Sequence, residues 1–163
     1  MNEIDCFGVH DRLLTLAEAL TAALYRIQPL RETVSVPLLD AYGRILAADV
    51  VARLDVPPHD NSAMDGFALY RGDLQTDAAT RLPVVGQSLA GHPYVGTVSP
   101  GTVVRITTGG VMPTGPDAVI MQEQCAIAPD RSWIEVVPAV AARLQPGENI
   151  RRCGEDVQAG TVL

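Results

Sequence analysis

Apolar residues recur at helical spacing near the start of the chain and stop before Pro29. Residues three or four positions apart share one face of a helix, so this period is typical of an amphipathic helix. The preceding Thr15-Leu16-Ala17-Glu18 has the form of a capping box, in which a Thr side chain and a Glu three residues later close the first turn. The pattern predicts one helix, whose apolar positions are Leu16, Leu20, Ala23, Leu24 and Ile27.

The apolar period shortens after this helix, and shorter spacing favours strands. Alternation at Val34, Val36 and Leu38 predicts a strand over residues 33–38, and the apolar residues 39–52 predict a short helix that runs into a strand. Further short β-prone runs are separated by Gly and Pro at turn positions. These runs are Leu82 to Val85, Thr102 to Ile106, Ala118 to Met121 and Trp133 to Val137. The predicted class is α+β and rich in short strands.

Composition excludes several classes of protein. A chain of 163 residues with 47% hydrophobic residues can build one ordinary domain or two small ones. Only 4% of residues are aromatic, which leaves few rings for stacking nucleobases. The formal net charge of -7 argues against non-specific binding to nucleic acid or to an anionic membrane, because both require a positive field.

The cysteines, arginines and histidines indicate the expected location of the protein and the kinds of ligand site that it can form. The cysteines Cys6, Cys125 and Cys153 are odd in number and lack C-x-x-C spacing, so we expect a reduced, cytoplasmic location. Residues 1–12 lack the pattern of a secretory signal, and no apolar run is long enough to span a membrane. All basic residues are Arg, which suits bidentate recognition of phosphate. The histidines share no ligand-like spacing, so we predict no zinc site.

Three polar motifs carry the candidate chemistry. The first, Asp60-Asn61-Ser62-Ala63-Met64-Asp65-Gly66-Phe67, places two carboxylates, an amide and a hydroxyl beside Pro57-Pro58. The second, Thr107-Thr108-Gly109-Gly110, follows an apolar run. The third is Asn149-Ile150-Arg151-Arg152-Cys153-Gly154-Glu155-Asp156. Within the first motif, we expect Met64 and Phe67 to lie in the core.

Each motif also has a purely structural interpretation. Asp60, Ser62 and Asp65 can cap turns by accepting backbone N–H groups, and the residues alone favour that reading. The Thr108-Gly109 segment can form an anion-binding nest, but a tight turn is favoured on spacing alone.

The third motif leaves its alternatives open. Arg151 and Arg152 can clamp a phosphate or pair with Glu155 and Asp156, four residues further on. Charges around Cys153 could lower its pKa, but without a nearby His an inert thiol is favoured.

The three motifs, in this order, resemble the N-terminal region of the molybdopterin molybdenumtransferases, enzymes that insert molybdenum into molybdopterin. Further ordered blocks support the resemblance from about Leu16 to Leu163, including Gly43 to Val50 and Val119 to Glu123. It implies an elongated N-terminal and linker region with one amphipathic helix and short, twisted or bifurcated sheets. Residues 1–53 and 139–163 would form a first, dimer-forming subdomain, and residues 54–138 an inserted mixed β subdomain. The family's C-terminal α/β molybdopterin-binding domain would lie beyond this chain.

The resemblance also implies site residues and ligands. It assigns catalytic roles to Asp65, Thr108 and Asp156, and substrate contacts to Arg151, Asn61, Ser62 and Gly109. The metal ligands are left unknown, while Asp60 is kept structural.

The implied reaction inserts molybdenum from molybdate into adenylylated molybdopterin, with Mg2+ and release of AMP. The implied partners are a second copy of the chain and a molybdopterin adenylyltransferase. The fragment alone is expected to be inactive, and the alternative function is a non-catalytic dimerisation or scaffolding module.

Overall fold

A computed structural model describes residues 13–163 of the chain. The chain divides into two compact units between Ala47 and Ala48. The predictions that fall on residues 1–12, including the pairing state of Cys6, lie outside the described residues. Within residues 13–163, no helix is sufficiently long and apolar to cross a membrane.

The first unit is built around helix α1, Leu16–Arg26. The predicted capping box is confirmed: the Thr15 hydroxyl accepts the Glu18 N–H at 3.3 Å, and the Glu18 carboxylate accepts the Thr15 N–H at 2.8 Å. No residue from 13 to 47 is buried, although the helix carries an apolar face. The apolar face of α1 is therefore not covered by the described part of its own unit.

Two predictions for residues 33–52, which reach from the first unit into the second, were wrong. Residues 33–37 form no strand, because no segment of the described chain pairs with them, and an unpaired strand is not stable by itself. The segment 39–52 contains only a 3₁₀ turn at Leu38–Asp40 and a left-handed turn at Gly43, φ +77°. The predicted strand is reduced to a single antiparallel bridge between Val51 and Val162.

The second unit contains a six-stranded mixed sheet and a two-stranded ribbon. The strands of the sheet are β2 Gly66–Leu69, β3 Thr80–Ser88, β4 Val103–Ile106, β5 Ala118–Met121, β6 Ala126–Ile127 and β7 Trp133–Val136. Their order is β5-β2-β4-β3-β7-β6, in which β3 and β4 are parallel and all other pairs antiparallel. The ribbon pairs β1, Asn61–Ser62, with β8, Ile150–Arg151.

Strand β3 changes partner along its length. Its first half, Thr80 to Pro83, pairs with β7, and its second half pairs with β4 across a register shift between Val84 and Gly86. An irregularity of this kind bends a strand and increases its twist. The sheet therefore curls, and the short 3₁₀ turn Gln122–Gln124 connects its two edge strands, β5 and β6.

The core lies on the inner face of this curled sheet and under the short helix α2, Pro138–Ala141. It is built almost entirely from aliphatic side chains. Its largest fully buried members include Leu69, Ile120 and Ile134. Phe67 is buried as predicted, but Met64 is 41% exposed, because its strand begins only at Gly66.

The predicted class, α+β and rich in short strands, is confirmed. The four predicted β runs from residue 82 onwards all correspond to strands, and Ala118–Met121 matches to the residue. Bridges join Val51 to Val162 and Val56 to Val157 within the second unit. The predicted division into 1–53 with 139–163 and an insertion at 54–138 stays a prediction.

Candidate functional site

Strand β1 brings the three polar motifs together. Ser62 N donates to Gly110 O at 2.9 Å, and Gly109 N donates back to Ser62 O at 2.9 Å. On the other side Asn61 pairs with Arg151, and Ala63 N donates to Asn149 O at 2.9 Å. The first motif thus lies between the second and the third, which are some forty residues apart in sequence.

Asp65 and Thr108 form the most direct contact between two predicted site residues. One carboxylate oxygen of Asp65, Oδ1, accepts both the Thr108 N–H at 2.7 Å and the Thr108 hydroxyl at 2.9 Å. The backbone hydrogen bond from Thr108, then its hydroxyl, lower the pKa of Asp65, and the nearby Arg105 acts in the same direction. Asp65 is therefore held as an exposed carboxylate whose second oxygen, Oδ2, accepts no hydrogen bond from the described residues.

The Thr107–Gly110 segment is a tight turn and not an open anion nest. Gly110 N donates to Thr107 O at 2.8 Å, and Gly109 has a φ of +78°. The N–H groups of Thr108, Gly109 and Gly110 all donate to protein oxygens. The turn consequently presents the Thr108 side chain beside Asp65, while the Gly109 amide is occupied by Ser62.

Asp60 is structural, as expected, but its partners come from the third motif. Its carboxylate accepts the Cys153 N–H at 2.8 Å and pairs with Arg152 at 2.7 Å. These contacts lower the pKa of Asp60, the backbone bond from Cys153 having the larger effect. Asp60 therefore fastens the 152–153 turn to the start of the first motif, across more than ninety residues of sequence.

Arg151 lies between two carboxylates. Its Nη2 is 2.5 Å from Asp156 Oδ1, and its Nε is 3.8 Å from Glu155 Oε1. The hydrogen bond with Asp156 raises the pKa of Arg151. The salt-bridge interpretation is thus correct for Arg151, whereas Arg152 pairs with Asp60 and not with Asp156.

Asn61 and Ser62 face the protein. The buried Ser62 hydroxyl donates to Met64 O at 2.6 Å and accepts the Met64 N–H at 3.2 Å, so Ser62 closes the turn before β2. The half-buried Asn61 amide lies beside two backbone acceptors, and with its nitrogen assigned to that side it donates to His59 O at 3.2 Å and to Asp60 O at 3.1 Å. The geometry gives both residues a structural task, and their predicted substrate contacts stay predictions.

The Cys153 thiol agrees with the prediction of an inert group. It lies 3.3 Å from Pro58 O and 3.6 Å from Asp55 Oδ2. Desolvation, followed by the hydrogen bond to Asp55, raises the pKa of Cys153. A raised pKa lowers the thiolate fraction and hence the reactivity.

Two residues near Asp65 escaped the sequence reasoning. Gln122 N donates to Asp65 O at 3.0 Å, and the half-buried Arg105 lies on β4 close enough to lower the Asp65 pKa. Arg105 is the one charged residue of an otherwise apolar strand, and that signal could have marked it. Gln122 carries no such signal, because its contact depends on the pairing of β2 with β5.

Residues 14–163 match the family model of the MoeA N-terminal region, domains I and II. The chain belongs to the MoeA N-terminal family. The resemblance predicted from the motifs is therefore confirmed.

Individual relatives support the assignment of this chain to the MoeA N-terminal family. It is 40% identical over 152 residues to the molybdopterin molybdenumtransferase of Haemophilus influenzae, covering 93% of this chain and 36% of the relative. It is 44% identical over 137 residues to molybdopterin molybdenumtransferase 2 of Mycobacterium tuberculosis, covering 80% and 31%. The crystal structure of the molybdopterin biosynthesis MoeA protein of Pyrococcus horikoshii superposes with a TM-score of 0.79 at 35% identity, covering 93% and 39%. The MoeA N-terminal chain thus spans about a third of these relatives.

Proposed function

We propose that this MoeA N-terminal chain supplies one wall of the active site of a molybdopterin molybdenumtransferase. The substrate would be adenylylated molybdopterin, which receives molybdenum from molybdate as AMP is released. The observation that carries the proposal is the Asp65–Thr108 pair, an exposed carboxylate oriented by a backbone amide and a hydroxyl at the junction of three polar motifs. The names of the relatives support the molybdopterin and molybdate chemistry.

The geometry suggests a division of labour among the predicted residues. Asp65, ionised and fixed by Thr108, would orient a polar group of the substrate through its unoccupied Oδ2. Arg151 would bind a substrate phosphate, and Asp156 would hold the guanidinium in place until the phosphate arrives. Asn61, Ser62 and Gly109 would support these groups through the β1 hydrogen bonds.

The described residues fit a magnesium ion only in part. They contain no group of three or more His, Cys, Asp or Glu side chains that could hold a metal. Mg2+, however, is commonly held by one or two carboxylates together with substrate phosphates. The unoccupied Oδ2 of Asp65 fits the role of one such ligand, and the ion would there neutralise charge on the pyrophosphate.

The test is Asp65→Asn in a complete protein that carries this region. Removing the charge while keeping the shape should lower molybdenum insertion at least about tenfold, by analogy with the loss of one positioned polar group in an active site. Asp130→Asn is the matched control, because Asp130 Oδ1 accepts the N–H and the hydroxyl of Ser132 in the same arrangement, outside the candidate site. Equal activity of the two variants would remove Asp65 from the site.

Helix α1 supports a homodimer as the assembled form. Its apolar face is exposed throughout, with Leu20 and Leu24 each 58% exposed, and contiguous exposed apolar surface marks an interaction site. A second copy of the chain is the simplest occupant, because closed homodimers are the commonest assemblies. A molybdopterin adenylyltransferase partner, proposed from the resemblance alone, has no contact surface assigned to it.

The dimer proposal is tested by sedimentation velocity. Leu20→Glu and Leu24→Glu should convert a dimer to a monomer, because each buries a charge in an apolar contact. Tyr25→Glu adds the same charge on the opposite side of α1 and should leave the dimer intact. A wild-type chain that sediments as a monomer at high micromolar concentration would refute the proposal.

The exposed apolar face of α1 also favours the alternative function, a non-catalytic dimerisation or scaffolding module. The two functions differ in their ligand. The transferase function requires that molybdopterin binds and that Arg151→Gln weakens this binding. A scaffold requires only dimerisation and no binding of molybdopterin. Equilibrium binding of molybdopterin to the complete protein and to its Arg151→Gln variant distinguishes them.

A further inference from the structure

Asn149, the first residue of the third motif, has a left-handed backbone. Its φ is +58°, and among the non-glycine residues of the described range 13–163 only Arg131 also has a positive φ. Residues with a Cβ are disfavoured in this region, although Asn is tolerated better than most. Glycine would occupy the position with less strain, so the backbone alone does not explain a side chain here. Strain of this kind is concentrated at functional sites.

The side chain of Asn149 reaches the six-stranded sheet. Its Nδ2 donates to Val119 O on β5 at 2.8 Å, across thirty residues of sequence. Val119 N in turn donates to Glu148 O at 3.1 Å, and the Ile150 side chain packs against the small buried cluster that contains Val119. Two hydrogen bonds and one apolar contact therefore fasten the segment 148–150 to β5.

The backbone of Asn149 also holds the first motif. Asn149 O accepts the Ala63 N–H at 2.9 Å, and two residues further on Arg151 pairs with Asn61 in the β1–β8 ribbon. Asn149 thus contacts the sheet through its amide and the first motif through its carbonyl. Among the described residues, no other side-chain hydrogen bond joins the third motif to β5.

Strand β5 and the turn that follows it support both pairs of candidate site residues. They hold Asp65, because Gln122 N donates to Asp65 O at 3.0 Å. They hold the strand that carries Arg151 through the Asn149 amide, two residues before the arginine. The position of the Arg151 guanidinium relative to the Asp65 carboxylate therefore depends on the Asn149 side chain.

We infer that Asn149 is a positioning residue, whose amide sets the Arg151 guanidinium for a substrate phosphate at a fixed place relative to Asp65. The inference rests on the proposed function, in which Arg151 is the phosphate contact. Asn149 acts through Arg151 and not on the substrate, because its Nδ2 already donates to Val119 O. A purely structural amide would contribute to stability without any effect on Arg151.

The first experiment observes Arg151 by NMR in the ¹⁵N-labelled chain without substrate. Asn149→Gly keeps the left-handed backbone and removes the amide, so the Arg151 Nε signal should shift as the guanidinium moves relative to Asp156. Ile134→Val is the control: it destabilises the buried core outside the site and should leave the Arg151 signal in place. An unchanged Arg151 signal in Asn149→Gly would overturn the inference.

The second experiment measures equilibrium binding of molybdopterin to a complete protein that carries this region. Asn149→Gly should weaken binding about fivefold, the effect of one lost hydrogen bond. Asn149→Asp tolerates the left-handed backbone and keeps the size of the side chain, but it offers no donor to Val119 O, so it should weaken binding at least as much. Ile134→Val should bind as the wild type does. Wild-type affinity in either Asn149 variant would overturn the inference.

A double variant shows whether the amide acts through Arg151. In the Arg151→Gln background, Asn149→Gly should weaken molybdopterin binding no further, because the group that it positions is gone. Additive losses would overturn the inference, since Asn149 would then act independently of Arg151.

Failure of the proposed function has a different signature. Arg151→Gln alone would then bind molybdopterin as the wild type does, which removes the phosphate contact from the proposal. The NMR comparison of Asn149→Gly with Ile134→Val needs no substrate, so it still decides whether Asn149 positions the Arg151 guanidinium.

Discussion

Gly66, which follows Asp65, should not tolerate even one added methyl group. Gly66 begins β2 and pairs with Met121 on β5 and with Ile106 on β4. A Cβ built on it would lie 1.9 Å from Ile120 O and 2.9 Å from Ile120 C. Because a carbon and a carbonyl oxygen normally approach to about 3.3 Å, the β2 and β5 backbones would have to separate by about 1.4 Å.

The cost of that separation can be bounded. Overpacking a well-ordered interior typically destabilises by about 1–3 kcal/mol, and the clashing atom here is backbone, which cannot rotate away. We therefore expect Gly66→Ala to lower the free energy of unfolding by about 3 kcal/mol. For a chain of this size that corresponds to a fall in Tm of about 6–12 °C.

Urea unfolding followed by Trp133 fluorescence measures this change, because the single tryptophan of the chain lies on β7 of the same sheet. The matched control is Gly72→Ala, where no atom lies within 4 Å of the added Cβ and φ is not positive. The control should be neutral or stabilising by a few tenths of a kcal/mol. If Gly66→Ala unfolds within about 0.5 kcal/mol of the wild type, the close pairing of β2 and β5 is wrong.

Two further predictions concern titrating groups. Thr108→Val removes one of the two donors to Asp65 and should raise the Asp65 pKa part of the way to its ordinary value in a ¹³C carboxyl titration, because the backbone donor remains. The folded pKa of Asp65 is depressed, so its contribution to stability is present above the unfolded pKa of about 3.9 and is lost as pH falls through the folded pKa. The free energies of unfolding of the wild type and of the variant should therefore converge in acid. An unchanged Asp65 pKa in Thr108→Val would exclude the hydrogen bond from the hydroxyl. Burial raises the pKa of Cys125 to about 12. Peptide mapping after alkylation of the native protein at pH 8 should therefore find Cys125 unmodified and the exposed Cys153 modified slowly. Rapid labelling of Cys125 would contradict its burial.

Local patterns were readable where the chain interacts with its sequence neighbours. The capping box at Thr15 and Glu18 predicted the start of α1, because an N-cap is completed within four residues. The run Ala118–Met121 was identified to the residue, since β-branched and aliphatic residues there are bounded by turn residues. The strand predicted at residues 33–38 was wrong, because alternating apolar residues form a strand only when another segment supplies the hydrogen bonds.

In the candidate site, too, the sequence predicted which residues are polar groups of interest but not all of their partners from distant segments. The motifs marked Asp65, Thr108, Arg151 and Asp156 as polar groups in an unusual context, and the first two do meet, as do the last two. That Arg152 pairs with Asp60 could not be read from sequence, because the i,i+4 rule that favoured Asp156 applies to helices and this segment is a turn.

The sequence by itself determined the family, the helix start, four of the eight described strands and the three motifs that carry the candidate chemistry, because each is encoded within a few consecutive residues. Only the tertiary structure decided which donors reach Asp65, that the Thr107–Gly110 amides are occupied, and that the Asn149 amide joins the third motif to β5. Those facts depend on strand register and on the partner change of β3, which join residues tens of positions apart. Register is set by pairing across the whole sheet, and no single segment contains that information.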